Sequence, residues 1–202
     1  MIDDVEVRRI VQRVLNQALG LSQPAPAPVG APAAAPAAPA MDAASERGAQ
    51  TDPKVVAIGA DHGGYDLKEI LKVYLVELGF EVRDAGTYNK HPVDYPDFAH
   101  DVAKLVSIGK AWRGIMIDGA GIGSCIVANK LPGVRAGMAY DYSSAVNSRE
   151  HNDTNVLTLG AGLIGVNLAK QIVKVWLATE FGGGRHQPRI DKITAVEKQY
   201  LK

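Results

Sequence analysis

Residues 115–130 read IMIDGAGIGSCIVANK: an apolar strand ending at Asp118, glycines at 119, 121 and 123, then a helical pattern from Ser124. A strand that runs through a glycine-rich turn into a helix is the repeating step of a parallel α/β sheet. The turn is also an anion site, because Gly119, Gly121 and Gly123 let the backbone approach a ligand without a Cβ in the way, and the helix start offers unpaired amides at its positive end. Asp118 stands at the carboxyl end of the strand, where open α/β sheets place their ligands. A carboxylate beside oxyanion-binding amides points to proton transfer. The spacing alone leaves a plain tight connection open as the alternative.

The alternation continues outward in both directions. Short β-branched runs at residues 55–59, 81–84, 114–118, 134–138 and 156–159 are separated by amphipathic stretches at 65–78, 96–108, 124–130, 143–150 and 166–179, with a last helix expected over 187–200. This predicts βαβ units over residues 54–202: a Rossmann-like, three-layer α/β/α fold around a five-stranded parallel sheet. Right-handed crossovers would cover both faces and gather the strand ends into one crevice. Upstream, the composition changes. Residues 22–53 are dominated by alanine and proline (PAPAPVGAPAAAPAAPA at 24–40), which predicts a disordered, semi-rigid tether. Residues 1–21 carry Val7, Ile10, Val11, Val14 and Ala18 at helical spacing, acids at the start and Gly20 at the end, the pattern of an amphipathic helix. So short a helix needs a partner surface to be stable.

The 202 residues carry a formal net charge of zero, so no global field recruits nucleic acid or membrane and an anionic ligand must be held by local cations. The single cysteine, Cys125, excludes an intramolecular disulfide and a multi-cysteine metal cluster and fits a cytoplasmic setting; one residue inside the helix, it is expected to pack. No apolar run approaches the ~20 residues of a bilayer span, and a secretory signal's apolar centre is missing. The histidines lack i, i+4 ligand pairing, so no metal site is expected. A dinucleotide site fits poorly, because the glycine loop follows the third strand and no acidic residue ends the next.

Three further polar clusters are expected to join the Asp118 loop in the crevice. GADHGG places Asp61 and His62 at the end of the first strand, able to grip sugar hydroxyls, with a helix cap as the alternative role of Asp61. REHNDTN carries His151, a residue type that can move protons, and Asn152; a simple Asx-type turn is the alternative there. GGGRHQPR brings Arg185, His186 and Arg189 to a glycine-opened helix start, and two arginines four apart can clamp a phosphate. Together these groups suit a phosphorylated small molecule.

GADHGGYDLKE (59–69), YPDFA (95–99), DGAGIGSCIVANKLPGVRAG (118–137), REHNDTNVLTLG (149–160) and GGGRHQPRID (182–191) follow one another in the order and spacing of a known family. Over about residues 55–195 the chain resembles the type B ribose-5-phosphate isomerases, which include the galactose-6-phosphate isomerase subunits. The resemblance implies a homodimer or tetramer whose active sites are completed by a partner subunit, interconverting aldose and ketose phosphates without metal or cofactor. It also implies that Asp61 and His62 contact the sugar, His151 helps open the ring and Asn152 holds an oxygen of the intermediate. Gly119, Gly121, Ile122, Gly123 and Ser124 would form the enediolate-binding loop, and Arg185 and Arg189 would bind phosphate.

Three positions depart from many family members: Asp118 stands in place of a cysteine base, Ala120 in place of a hydroxyl residue, and Gly162 in place of an arginine. Ser124 occupies the position at which other members have a glutamate base. An aspartate at the cysteine position is similar to one galactose-6-phosphate isomerase subunit. Asp118 is therefore the expected base, and a galactose-6-phosphate isomerase-like subunit or a weakly active sugar-phosphate-binding paralogue is the alternative. The extension, helix plus Ala/Pro tether, resembles the encapsulation peptides of bacterial microcompartment cargo. It implies a microcompartment shell protein as partner of residues 1–21 and a place in the compartment lumen, with an oligomerisation helix or self-docking as the other readings.

Overall fold

The first strand, β1 (Val55–Ala60), sends Val56, Ile58 and Ala60 into one apolar layer and Ala57 into another. Apolar residues on both sides mark a strand covered on both faces. In the computed structural model, which describes residues 54–201, β1 is joined by β2 (Glu81–Asp84), β3 (Arg113–Asp118), β4 (Ala136–Met138) and β5 (Val156–Gly160), all parallel, in the order β2-β1-β3-β5-β4. The chain reverses direction across the sheet between β1 and β3, and this switch point opens a crevice at their carboxyl ends.

Helices α1 (Tyr65–Glu77), α4 (Tyr142–Glu150) and α5 (Val166–Ala178) cover one face. Leu67, Leu71 and Leu75 of α1 recur one turn apart and pack with Ile172, Val173 and Trp176 of α5 against Ile115, Ile117, Leu157 and Leu159. Each such side chain contributes roughly 1.5–3 kcal/mol on burial. Helices α2 (Tyr95–Ser107) and α3 (Ile122–Ala128) cover the other face through Ala99, Val102, Ala103, Val106 and Ala128. A Cβ on Gly59 or Gly114 would meet Val102 at 2.6 or 2.8 Å, so these glycines let α2 sit close on the sheet. A short 3-10 turn (Gly184–His186) leads into the last helix, α6 (Gln187–Tyr200). The expected layers and strands are all present. β4 is shorter than the 134–138 run because the Asn155 side chain takes over the ladder at its start, accepting from Arg135 N at 2.8 Å and donating to Gly133 O at 2.8 Å. Helix α3 begins at Ile122 rather than Ser124, because Gly121, at φ 80°, turns the chain in a left-handed conformation that glycine adopts without strain. The amphipathic segment at 1–21 and the Ala/Pro stretch at 22–53 lie outside the described residues.

Two buried arginines tie down the amino-terminal edge of the sheet. Arg113, the first residue of β3, donates to the Trp176, Leu177 and Thr179 carbonyls that end α5. These are orphan acceptors of a helix C-terminus. Burial and then the nearby Arg149 push Arg113 down to about 10, so it stays charged at neutral pH. Arg149, on the last turn of α4, reaches the Thr154 and Thr179 carbonyls and the Asp153 carboxylate.

Candidate active site

At the carboxyl edge, β1 and β3 end in Asp61 and Asp118. Asp61 is 8% exposed, and its Oδ1 accepts from Gly64 N at 3.0 Å, closing the turn into α1. Asp61 thus holds the turn ahead of α1, while the N-cap position itself is Gly64 and carries no side-chain cap. A Cβ on Gly64 would lie 2.4 Å from the Ile117 carbonyl oxygen, so only glycine lets this turn press against β3. His62 is exposed, with Nδ1 3.1 Å from the Val93 carbonyl oxygen and 3.2 Å from the Val93 amide. With Nδ1 engaged by Val93, Nε2 is the ring nitrogen left to meet a ligand.

Asp118 is 5% exposed and holds the whole loop. Its Oδ1 accepts from the amides of Ala120, at 2.8 Å, and Gly121; its Oδ2 accepts from the Ser124 amide, at 3.2 Å, and the Ser124 hydroxyl. An ionised carboxylate offers about four acceptor positions, and all are filled. Among the described residues, no protein group accepts from the amides of Gly119, Ile122 and Gly123. Of the loop's amides from Gly119 to Ser124, three are therefore taken by Asp118 and three have no protein acceptor. Ser124 is fully buried, so its contribution is to hold Asp118 rather than to reach a ligand. Tyr95, at the start of α2, lies over the loop: a Cβ on Gly123 would meet the Tyr95 ring at 2.5–2.6 Å. Cys125 packs half-buried with Sγ 3.5 Å from the Ala136 carbonyl oxygen, and burial raises its thiol pKa.

His151, Asn152, Arg185 and Arg189 are not in this crevice. In a parallel sheet, a helix that follows a strand runs back to the amino-terminal edge, so the ends of α4 and α5 lie opposite Asp118. The contacts of Arg113 and Arg149 fix this placement, since both reach Thr179 just beyond α5. The six-residue β3 separates the two ends by roughly 17 Å. The expected convergence of four clusters thus fails within one chain: two meet at the carboxyl edge and two at the other.

The amino-edge group has its own order. Gly182 N donates to Glu150 O at 2.9 Å, bringing the glycine turn against the end of α4. His151 and His186 stack with centroids 4.1 Å apart and planes 12° from parallel. Asn147 lies 2.9 Å from His151 Nδ1, and Arg185 Nε donates to His186 Nε2 at 3.3 Å. Burial, then His151, Arg185 and Arg189, lower the His186 pKa from its ordinary value. Arg185 and Arg189 are exposed at the start of α6. Asn152 borders a polar groove of about 640 Å³ beside β4, with Asn129, Arg135, Ser143, Asn147 and Ser148. Asn147 and Tyr95 were not candidates in the sequence; the i, i+4 spacing to His151 was the one signal for Asn147. No group of three or more potential metal-ligating side chains occurs among the described residues.

Residues 56–193 match the family model described as Ribose/Galactose Isomerase. The chain is 47% identical over 146 residues to ribose-5-phosphate isomerase B of Escherichia coli (strain K12), covering 72% of this chain and 98% of that protein. It is 43% identical over 146 residues to D-erythrulose-4-phosphate isomerase of Pectobacterium atrosepticum, covering 71% and 95%. Among solved structures, ribose-5-phosphate isomerase B of Clostridium thermocellum superposes with a TM-score of 0.71 at 49% identity, covering 72% of this chain and 99% of that one.

Proposed function

This chain belongs to the ribose/galactose isomerase family, and we propose that it interconverts ribose 5-phosphate and ribulose 5-phosphate through an enediolate. It is an aldose–ketose isomerase of a sugar phosphate. The observation that carries the finer reading is the loop after β3, where a nearly buried carboxylate stands beside three amides with no protein acceptor. Asp118 removes the proton from C2 of the open aldose; the electron pair moves into the enediolate, whose oxygen is held by the amides of Gly119, Ile122 and Gly123. Returning the proton to C1, with a proton passing from O2 to O1, gives the ketose. To act, Asp118 must release one donor. The Ser124 hydroxyl is the rotor that can turn away and free a lone pair on Oδ2.

Asp61 and His62 bind sugar hydroxyls beside the loop. Ring opening at His151, the Asn152 contact and the phosphate clamp of Arg185 and Arg189 come from a second copy of the chain, because the two half-sites of one copy face opposite edges. A homodimer, alone or paired into a tetramer, then carries two complete sites.

One observation favours a second reading, a weakly active sugar-phosphate-binding paralogue or a galactose-6-phosphate isomerase-like subunit: every acceptor position of Asp118 is filled by its own loop. A panel of pentose and hexose phosphates, assayed with wild type and Asp118→Asn, separates these. Turnover of ribose 5-phosphate that falls about 100- to 10,000-fold in the variant supports Asp118 as base; full turnover in Asp118→Asn refutes it.

Residues 1–21 are read as the address that takes the enzyme into the lumen of a bacterial microcompartment, supported by the apolar stripe of Val7, Ile10, Val11 and Val14 on an Ala/Pro tether. Residues 1–21 fused to a reporter should colocalise with shells and lose this with Val11→Asp or Val14→Asp. A diffuse reporter in a shell-forming cell overturns the assignment.

A further inference from the structure

The amino-edge half-site contains a hydrogen bond that the reaction above does not use. His151 is the C-cap of α4, Asn147 lies one turn before it, and Asn147 Nδ2 is 2.9 Å from His151 Nδ1. A carboxamide nitrogen can only donate, so Nδ1 is the bare nitrogen and the proton of the neutral ring sits on Nε2. One face of the ring is covered by His186, whose own Nε2 faces Arg185 Nε. His186 is held below its ordinary pKa by burial and the neighbouring His151, Arg185 and Arg189, against the opposing charge of Glu150. With one face stacked and Nδ1 occupied, Nε2–H is the polar edge left for a ligand.

We propose that Asn147 is a positioning residue for His151: its amide donates to Nδ1 and fixes the Nε2–H tautomer, so the histidine meets the sugar as a hydrogen-bond donor. This rests on the reading of His151 as the ring-opening group. Opening a furanose breaks the C1–O4 bond, forms the C1=O1 double bond and moves the O1 proton to O4 through solvent. His151 Nε2–H supplies a hydrogen bond to O4 as the bond lengthens and undergoes no net proton change. Asn147 reaches the reaction only through the ring it orients.

Two substitutions at this exposed position have opposite chemistry. Asn147→Asp presents a carboxylate that accepts, which draws the proton onto Nδ1 and leaves Nε2 bare. Asn147→Leu removes the partner. In ¹⁵N NMR of the full chain, assigned against His151→Gln, wild type should show protonated Nε2, Asn147→Asp the reversed tautomer and Asn147→Leu a mixture. The kcat on ribose 5-phosphate should fall about 100-fold for Asn147→Asp, the lower end of what a lost acid–base group costs, and about tenfold, less than that, for Asn147→Leu, where part of the population keeps the Nε2–H tautomer. D-erythrose 4-phosphate is the control, because its O4 is phosphorylated and it forms no furanose; its kcat should change less than about twofold, since no donor to a ring oxygen is required. An unchanged Nε2–H tautomer in Asn147→Asp, or equal losses on both sugars, overturns the proposal. If wild type turns over neither sugar, the reading of the reaction falls, while the NMR result by itself upholds or overturns Asn147.

Discussion

Asp118 anchors its loop, and removing its charge should destabilise the protein by a calculable amount. In Asp118→Asn the carboxamide oxygen replaces Oδ1 and still accepts from Ala120 N and Gly121 N, now as a neutral acceptor with roughly half the strength of a charged one. The new NH₂ replaces Oδ2 and faces two donors, the Ser124 amide and hydroxyl. The hydroxyl can rotate to accept; the amide cannot, and a buried donor is left unpaired at a cost of about 1–3 kcal/mol. Turning the carboxamide over is worse, because NH₂ would then face two fixed amides. The sum is about 2 kcal/mol for Asp118→Asn. Asp118→Ala strands the Gly121 and Ser124 donors as well as exposing Ala120, for about 3–5 kcal/mol.

For a folded unit of this size each kcal/mol moves Tm by roughly 2–4 °C. Asp118→Asn should therefore melt about 4–8 °C below wild type, and Asp118→Ala about 10 °C or more below. The assay is calorimetry on the full chain at one fixed protein concentration, since an oligomer's Tm depends on it. An Asp118→Asn Tm within about 1 °C of wild type would refute the four-donor arrangement. Combined with the kinetics, the same variant separates two roles: loss of Tm without loss of turnover makes Asp118 an organiser of the loop, and loss of both makes it organiser and base.

Lys68, fully buried, donates to both oxygens of Asp84 at 2.9 and 2.7 Å and to Glu69 at 2.7 Å, joining α1 to β2. Lys68→Met should cost about 2–3 kcal/mol in urea unfolding, less than a fully isolated pair because Lys72 still reaches Asp84. Burial pushes the Asp84 carboxyl up, but hydrogen bonds from Lys68, Lys72 and the Gly86 amide outweigh it and hold the group below its ordinary value. A depressed folded pKa contributes stability above the unfolded value of about 3.9, lost as pH falls through the folded one; Asp84→Asn should flatten the acid limb of a stability profile below about pH 4, and an unchanged limb would remove Asp84 from that role. Gly64→Ala sets a Cβ 2.4 Å from the Ile117 carbonyl, where backbone cannot yield; a loss of about 1–3 kcal/mol is expected, and a Tm equal to wild type would refute the contact. Mixing Asp118→Asn with Arg189→Ala subunits, each inactive alone, should restore about a quarter of wild-type activity, because half of the random dimers carry one intact site; no recovery after subunit exchange counts against a shared site.

The strands and helices were legible because burial imposes two periods on the chain, near 2 in Val56, Ile58 and Ala60 and near 3.6 in Leu67, Leu71 and Leu75. Asp61, Asp118 and the glycine turn were legible for a related reason: a residue that follows a strand in a parallel sheet stands at the carboxyl edge. The same rule sends a residue that follows a helix to the amino edge. His151 and Asn152 follow α4, and Arg185 and Arg189 follow α5, so their distance from Asp118 was written in the order of elements. The four donors on Asp118 were not. They depend on a side-chain rotamer and on Gly121 at φ 80°, quantities that no periodicity carries.

That separation gives a physical reason for activity to depend on assembly. Each half-site is anchored separately: Arg113 and Arg149 pin the end of α5 to the start of β3 and the end of α4, and the Asp118 carboxylate pins the carboxyl-edge loop. Neither half can bend across the roughly 17 Å of β3 to meet the other, because both are anchored to the same strand. A five-carbon sugar phosphate is shorter than that strand and cannot bridge its ends. On the proposed reading, the proton-moving loop of one copy and the phosphate clamp of another meet only when subunits associate. Specific activity should then fall on dilution below the dimer dissociation constant, with catalysis lost before the fold.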